Sequence, residues 1–354
     1  MRIDIRKRAL MAAALLSFSV ACGDDGTAPG DSGPDGIDSG RQRDSGPRPV
    51  VDSGPRRDSG PVITGDLPFG DMGIAAHFPG DVGIAGDSTV IFADDFESYG
   101  DGGDLGRNWN AGVYHNSDIE TAAAHVFAGS QSLRFTAPAQ DVELSNGVAR
   151  TVSPELDRLF LRFYSKFAAN FDIFGSSHNG GGISAHYFID GMATPGIRAD
   201  GMNKFLIEYE SWRGEAVEPN PGTLNVYIYH PAQRDNYGDH FYPNGDVMPN
   251  TSIPGDFGSD FVPRTNRVVD LDRWYCYEVM LQANTPGTRD GRVALWLDGE
   301  LIADFPNLRL RDIASLTIDR FGLSFHFHSN PVETYKWYDN VVAATEYIGP
   351  VYGG

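Results

Sequence analysis

The chain has 354 residues and a formal net charge of −20, with 28 Lys and Arg against 48 Asp and Glu. So acidic a balance argues against a nucleic-acid binder, which needs basic patches to gain counterion-release energy. Two cysteines are too few for a disulfide framework, so the fold must be held by its core.

The chain opens with Arg2, Arg6, Lys7 and Arg8, then the apolar run ALMAAALLSFSVA, then Cys22. A positive start, a short apolar run and small residues describe a secretory signal. The run is shorter than the roughly 20 residues that cross a bilayer. The ending SVAC resembles a bacterial lipoprotein signal, in which Cys22 becomes the lipidated first residue. Residues 1–21 are therefore expected to be removed. The protein is expected to be exported and held in the bacterial cell envelope, meeting the membrane through the lipid alone. Residues 22–88 are expected to form a disordered tether. Its first part, GDSGPDGIDSGRQRDSGP and onward, has few apolar residues to offset ordering entropy. Its last part carries a twofold repeat in GDMGIAAHFPGDVGIAG, for which local docking stays open. Coil scaling gives the tether a reach of roughly 45 Å.

From Thr89 to Gly354 the character changes. Short runs rich in β-branched and aromatic residues recur between Gly, Pro, Asn and Asp: TVIFADDF, LFLRFYSKF, KFLIEYESW, LNVYIYH, WYCYEVMLQ, RVALWLDGELIADF and RFGLSFHFH. No long segment holds a helical period. The pattern predicts one all-β domain, a sandwich or jelly roll of two antiparallel sheets. Asp298-Gly299 predicts a two-residue hairpin turn. Cys276, inside a strand pattern, reads as a small buried apolar residue. The acidic run DDFESYGDGGDLG is where a structural calcium would find oxygen ligands, but it lacks the spacing of a calcium loop. No cofactor is expected.

Several of these segments resemble known proteins. DRWYCYEVMLQANTPGTRDGRVALWLDGELIADF is similar to the central hairpin of concanavalin A-like jelly rolls, and YKWYDNVVAATEYIG to their closing strand. The succession ANFDIFGSSHNGGGISAH, FLIEYESWR, LNVYIYHP resembles the family 14 polysaccharide lyases, which include alginate and glucuronan lyases. Tyr227 and Tyr229 match that family's paired tyrosines. The lysine of its glycine loop falls on Gly182, and its Ser-x-Arg falls on Ile207 and Tyr209, so these positions depart from the pattern. Either other residues carry the chemistry, or this is a binding relative.

The resemblance implies a concave sheet whose outward face forms a groove for an extended, anionic polysaccharide. Period-two spacing puts Arg162, Tyr164 and Lys166 on one face of a strand, opposite Leu161 and Phe163. Aromatics stack on sugar faces and cations pair with uronate carboxylates, so these three, with His178 of the glycine-rich stretch, are candidate binding residues. Tyr227 with Tyr229, and His326 with His328, are same-face pairs and candidate acid–base residues. In RFGLSFHFH the alternation turns Leu323, Phe325 and Phe327 to the core and both histidines outward. The His-x-His pair suits metal ligation, a general base or polar surface, but no third metal ligand can be placed, and no metal site is assigned. The favoured function is β-elimination of a polyuronate. The alternatives are non-catalytic carbohydrate binding, a structural surface protein without a glycan ligand, and hydrolysis by Glu208 and Glu210. For hydrolysis, same-face strand neighbours sit about 7 Å apart, wider than retaining chemistry wants.

Overall fold

Alternating apolar runs this short cannot bury themselves alone, and they pair into sheets. The computed structural model of the protein describes residues 63–173, 175, 177–214, 219–250 and 257–353. Numbered in chain order, the back sheet runs β17 (Glu300–Leu308), β16 (Gly291–Leu297), β15 (Tyr275–Gln282), β6 (Arg158–Phe167), β19 (Thr334–Ala344), β4 (Ser132–Ala137) and β3 (Ser117–Glu120). β1 (Val90–Asp94) pairs with the second half of β19. The front sheet runs β14 (Val247–Met248), β13 (Asp239–Phe241), β12 (Thr223–Tyr229), β11 (Phe205–Trp212), β8 (Gly181–Ala185), β18 (Ile318–Phe327), β5 (Leu144–Leu156) and β2 (Gly112–Tyr114). β7 (Ser177–His178) joins the end of β18, and β9 (Phe188–Ile189) with β10 (Met192–Ala193) forms a separate hairpin. Among the described residues every strand pairing is antiparallel, the expected jelly-roll sandwich.

The main core lies between the sheets. Leu161 and Phe163 of β6 meet Ile207 and Tyr209 of β11 and Leu323, Phe325 and Phe327 of β18 within it. Phe163 stacks on Tyr277 at 5.2 Å. The inward parity of these strands is the one their alternation predicts. Asp298 and Gly299 both take positive φ and close the hairpin between Leu297 and Glu300. Cys276 is buried in β15.

A second core lies on the outer face of the back sheet, and it corrects two expectations. Residues 63–88, read above as the end of the tether, pack here: Leu67, Ile74, Ala75 and Ile84 cover Phe160, Met280 and Trp296. The face was apolar enough to demand a cover, and the GIA repeats supply it. Arg162, Tyr164 and Lys166 lie on this same covered face, not in a groove. Arg162 is wholly buried and pairs with Asp81 of the docked segment. Tyr164 stacks on Phe127 at 3.7 Å and accepts a hydrogen bond from Val351 N. Lys166 donates to Ala124 O and to Asp272. Their charges are met by protein partners, which is why the strand tolerates them.

Candidate active site

The outward face of the front sheet carries a cavity of about 420 Å³. Its floor is low because Gly182 of β8 and Gly322 of β18 are cross-strand neighbours and present bare backbone. Ile183, Phe321 and Leu323 turn inward, so these glycines face out. Gly182, where the resemblance noted above would put a lysine, is thus part of the floor. The β9–β10 hairpin and Tyr114 wall one side, with Phe188, Ile189 and Met192 among the lining residues.

Period-two spacing then brings the polar groups together. His178, Glu208, Tyr227, Arg320, Ser324 and His326 all line the cavity. His178 Nδ1 lies 2.9 Å from Glu210 Oε2, and its ring centroid lies 4.9 Å from that of Tyr227. Tyr227 Oη accepts from Gly238 N at 2.8 Å. Ser324 Oγ donates to Glu208. Arg320 Nη2 donates to Tyr114 Oη at 2.9 Å, and its guanidinium lies 3.7 Å from the Phe188 ring centroid. His240 of β13 stacks on Trp212 at 4.3 Å and meets Asn225 Oδ1 at 3.0 Å.

Burial sets the electrostatics. Glu210 has no exposed side-chain surface, and burial pushes its carboxyl up to about 7 against the pull of His178. His240 is pushed down to about 3, first by burial and then by His178. Burial holds His326 well below the usual imidazole range, with His178 and His328 adding to it. Lys336 of β19 reaches from the back sheet and donates to Asn179 O; burial lowers its amine, while Glu210 and Glu208 oppose that.

Of the candidate residues, Tyr227, His178 and His326 meet in the cavity. His328 stands beside His326, with ring centroids 5.5 Å apart, just outside the lining. Tyr229 shares a face with Tyr227 but is wholly buried under the segment that follows β8. There it packs with Tyr187 and Ala199, and Lys204 lies 4.6 Å from its ring. Arg162, Tyr164 and Lys166 lie on the opposite side of the sandwich. Cys22 lies outside the described residues. The acidic run uses its carboxylates on local donors: Asp94 accepts from Phe96 N and Trp109 Nε1, and Glu97 accepts from Ser130 N and Gln131 N. Arg320 and Lys336 carry no expectation from the sequence, and Glu210, expected only as a partner of Glu208 in hydrolysis, instead meets His178. Arg320 carried a visible signal, since it shares the parity of Ser324 and His326.

Comparison with solved structures places the fold. Alginate lyase Aly36B superposes with a TM-score of 0.51 at 18% identity, covering 73% of this chain and 98% of that one. A variant of that enzyme in complex with an alginate trisaccharide gives 0.52 at 19% identity, covering 73% and 99%. Alginate lyase vAL-1 from Chlorella virus gives 0.51 at 16% identity, covering 73% and 100%. The chain has the fold of alginate lyases. No family model matches the sequence, and no curated protein matches it at the sequence level. On this alginate-lyase fold, the cavity occupies the outward face of the front sheet, and residues 63–88 cover the outward face of the back one.

Proposed function

We propose that the protein cleaves a uronate-containing polysaccharide by β-elimination. The observation that carries this reading is the convergence of His178, Tyr227 and Arg320 in one cavity on the outward face of the front sheet. Elimination needs a cation at the uronate carboxylate, a base for the proton on C5 and an acid for the leaving oxygen on C4. Arg320 supplies the cation. His178, its ring oriented by Glu210, takes the C5 proton; that electron pair forms the C4–C5 double bond as the C4–O bond breaks. Tyr227 gives its phenolic proton to the leaving oxygen. The fold shared with alginate lyases, one of them solved with bound alginate oligosaccharides, supports a polyuronate as the substrate class.

Hydrolysis by Glu208 and Glu210 is less well supported. Two catalytic carboxylates must both open toward the sugar. Glu208 lines the cavity, whereas Glu210 is wholly buried and held by His178.

The test is to incubate the chain with alginate, glucuronan and neutral glucans, following ultraviolet absorbance of unsaturated uronate ends alongside reducing ends. New absorbance with alginate or glucuronan is expected. His178→Ala and Tyr227→Phe should each lower kcat by about 10²–10⁴-fold while keeping the fold. Reducing ends without absorbance would mean hydrolysis. Binding with neither product would make the domain a carbohydrate-binding module. The signal ending at Cys22 further supports export and a lipid anchor in the cell envelope, with residues between Cys22 and the domain as the spacer.

A further inference from the structure

We propose that Glu143, His326 and His328 form a three-ligand site for a divalent transition metal of the zinc class at the edge of the cavity. The β5–β18 register sets Ser145 opposite His326 and Leu144 opposite Phe327. Continued by one residue, it brings Glu143 beside His328. Each of the three residues offers one ligand atom, and these atoms all lie within 4.8 Å of one another. His326 Nε2 is 4.0 Å from Glu143 Oε1.

The second observation is what these atoms lack. His326 Nε2, His328 Nε2 and Glu143 Oε1 are buried atoms with no hydrogen-bond partner. His326 itself is only 3% exposed. Buried polar atoms are nearly always paired, so three unpaired ones on residues whose ligand atoms cluster this closely call for something that bridges them. A proton bridges two at most, whereas a cation bridges all three.

The donor set names the class of cation. Two imidazoles and a carboxylate suit zinc and its neighbours, while calcium takes six to eight oxygens. His326 Nδ1 meets Ser145 Oγ at 2.8 Å. With Nδ1–H donating to that hydroxyl, the lone pair of Nε2 points at the metal, the usual outer-shell arrangement of a ligating histidine. A tetrahedral site with bonds near 2.0–2.1 Å has ligand atoms about 3.3 Å apart, so the three must draw in, which rotation of the partly exposed Glu143 allows. A second cluster, His178 with Glu208 and Glu210, is equally close-set. It is the weaker candidate because Glu210 already meets His178 and Glu208 accepts from Ser324.

Three protein ligands leave a fourth position. His326 and Ser145 line the cavity, so that position lies at its end. There it could take water or, and this clause rests on the lyase reading, the carboxylate of an acidic sugar. The third ligand was invisible in the sequence because strand pairing alone joins Glu143 to the His-x-His pair.

The experiment strips the whole chain with a chelator, titrates it with Zn²⁺ by calorimetry, and repeats the titration with Co²⁺ followed by visible absorption. One equivalent of Zn²⁺ and the intense bands of four-coordinate Co²⁺ are expected. His328→Gln and Glu143→Gln should abolish the cobalt bands; both side chains are partly exposed, and an unchanged thermal midpoint would show that the fold is kept. Ser145→Ala should weaken zinc by about 10–100-fold. Failure to bind stoichiometric Zn²⁺, or variants that bind as the parent does, would overturn the site. Loss with Glu208→Gln but not with His328→Gln would move the metal to the other cluster and overturn it equally. Zinc binding in a chain that releases no unsaturated ends would support the site and overturn the lyase reading alone.

Discussion

Arg162→Ala separates a docked domain surface from an open groove. The Arg162 guanidinium is wholly buried and donates to both carboxylate oxygens of Asp81, to Asn340 O at 3.1 Å and to Gly349 O at 3.3 Å. Asp81 belongs to the segment that covers the back sheet, and its side chain is only 8% exposed. Truncation leaves that carboxylate in place without its guanidinium. Removing one partner of a buried pair costs about 3–5 kcal/mol. At roughly 2–4 °C per kcal/mol for a large domain, the thermal midpoint should fall by about 10 °C. Urea and thermal unfolding followed by circular dichroism would measure it. The double variant Arg162→Ala/Asp81→Ala should lose less than the sum of the two single losses, because the second truncation removes the stranded charge. Glycan turnover by the folded protein well below the midpoint should not change, since the cavity is on the other side of the sandwich. A stability loss under about 0.5 kcal/mol, the range of a plain surface position, would refute the reasoning. So would lost turnover in a fully stable variant.

Three further outcomes are expected. A chain beginning at Thr89 should melt well below one beginning at Ile63, because Phe160, Met280 and Trp296 lose their cover and Trp296 Nε1 loses its bond to Pro68 O; equal midpoints would show that residues 63–88 add nothing. Glu210→Gln should gain stability over the parent as pH rises from about 5 to 8. The parent carboxyl is raised from 4.5 to about 7, so its favourable contribution is complete below its unfolded pKa and is lost as pH climbs through about 7; a difference between the two proteins that is flat with pH would count against it. Cys22→Ser should release the protein from membranes into the aqueous phase of a detergent extraction, because a thioether-linked lipid needs that sulfur; a parent protein already in the aqueous phase would remove the anchor.

Much of the fold was legible because period two is a local property. Alternation told Leu161, Phe163, Leu323, Phe325 and Phe327 apart from their neighbours, and the Asp298-Gly299 turn could be read from two residues. Alternation says which residues share a face, but not what lies against that face. Arg162, Tyr164 and Lys166 do share one; the chain that covers it comes from residues 63–88, from residues 124–127 and from the C-terminal end, and only folding brings these there. Tyr227 and Tyr229 share another, yet the segment after β8 buries the second and leaves the first on the cavity. The sequence by itself determined the strand class, the inward parity and the His-x-His pair. Tertiary structure decided which outward face stays open, where Arg320 and Glu210 stand and that Glu143 meets the two histidines, because cross-strand register joins residues that no local pattern relates.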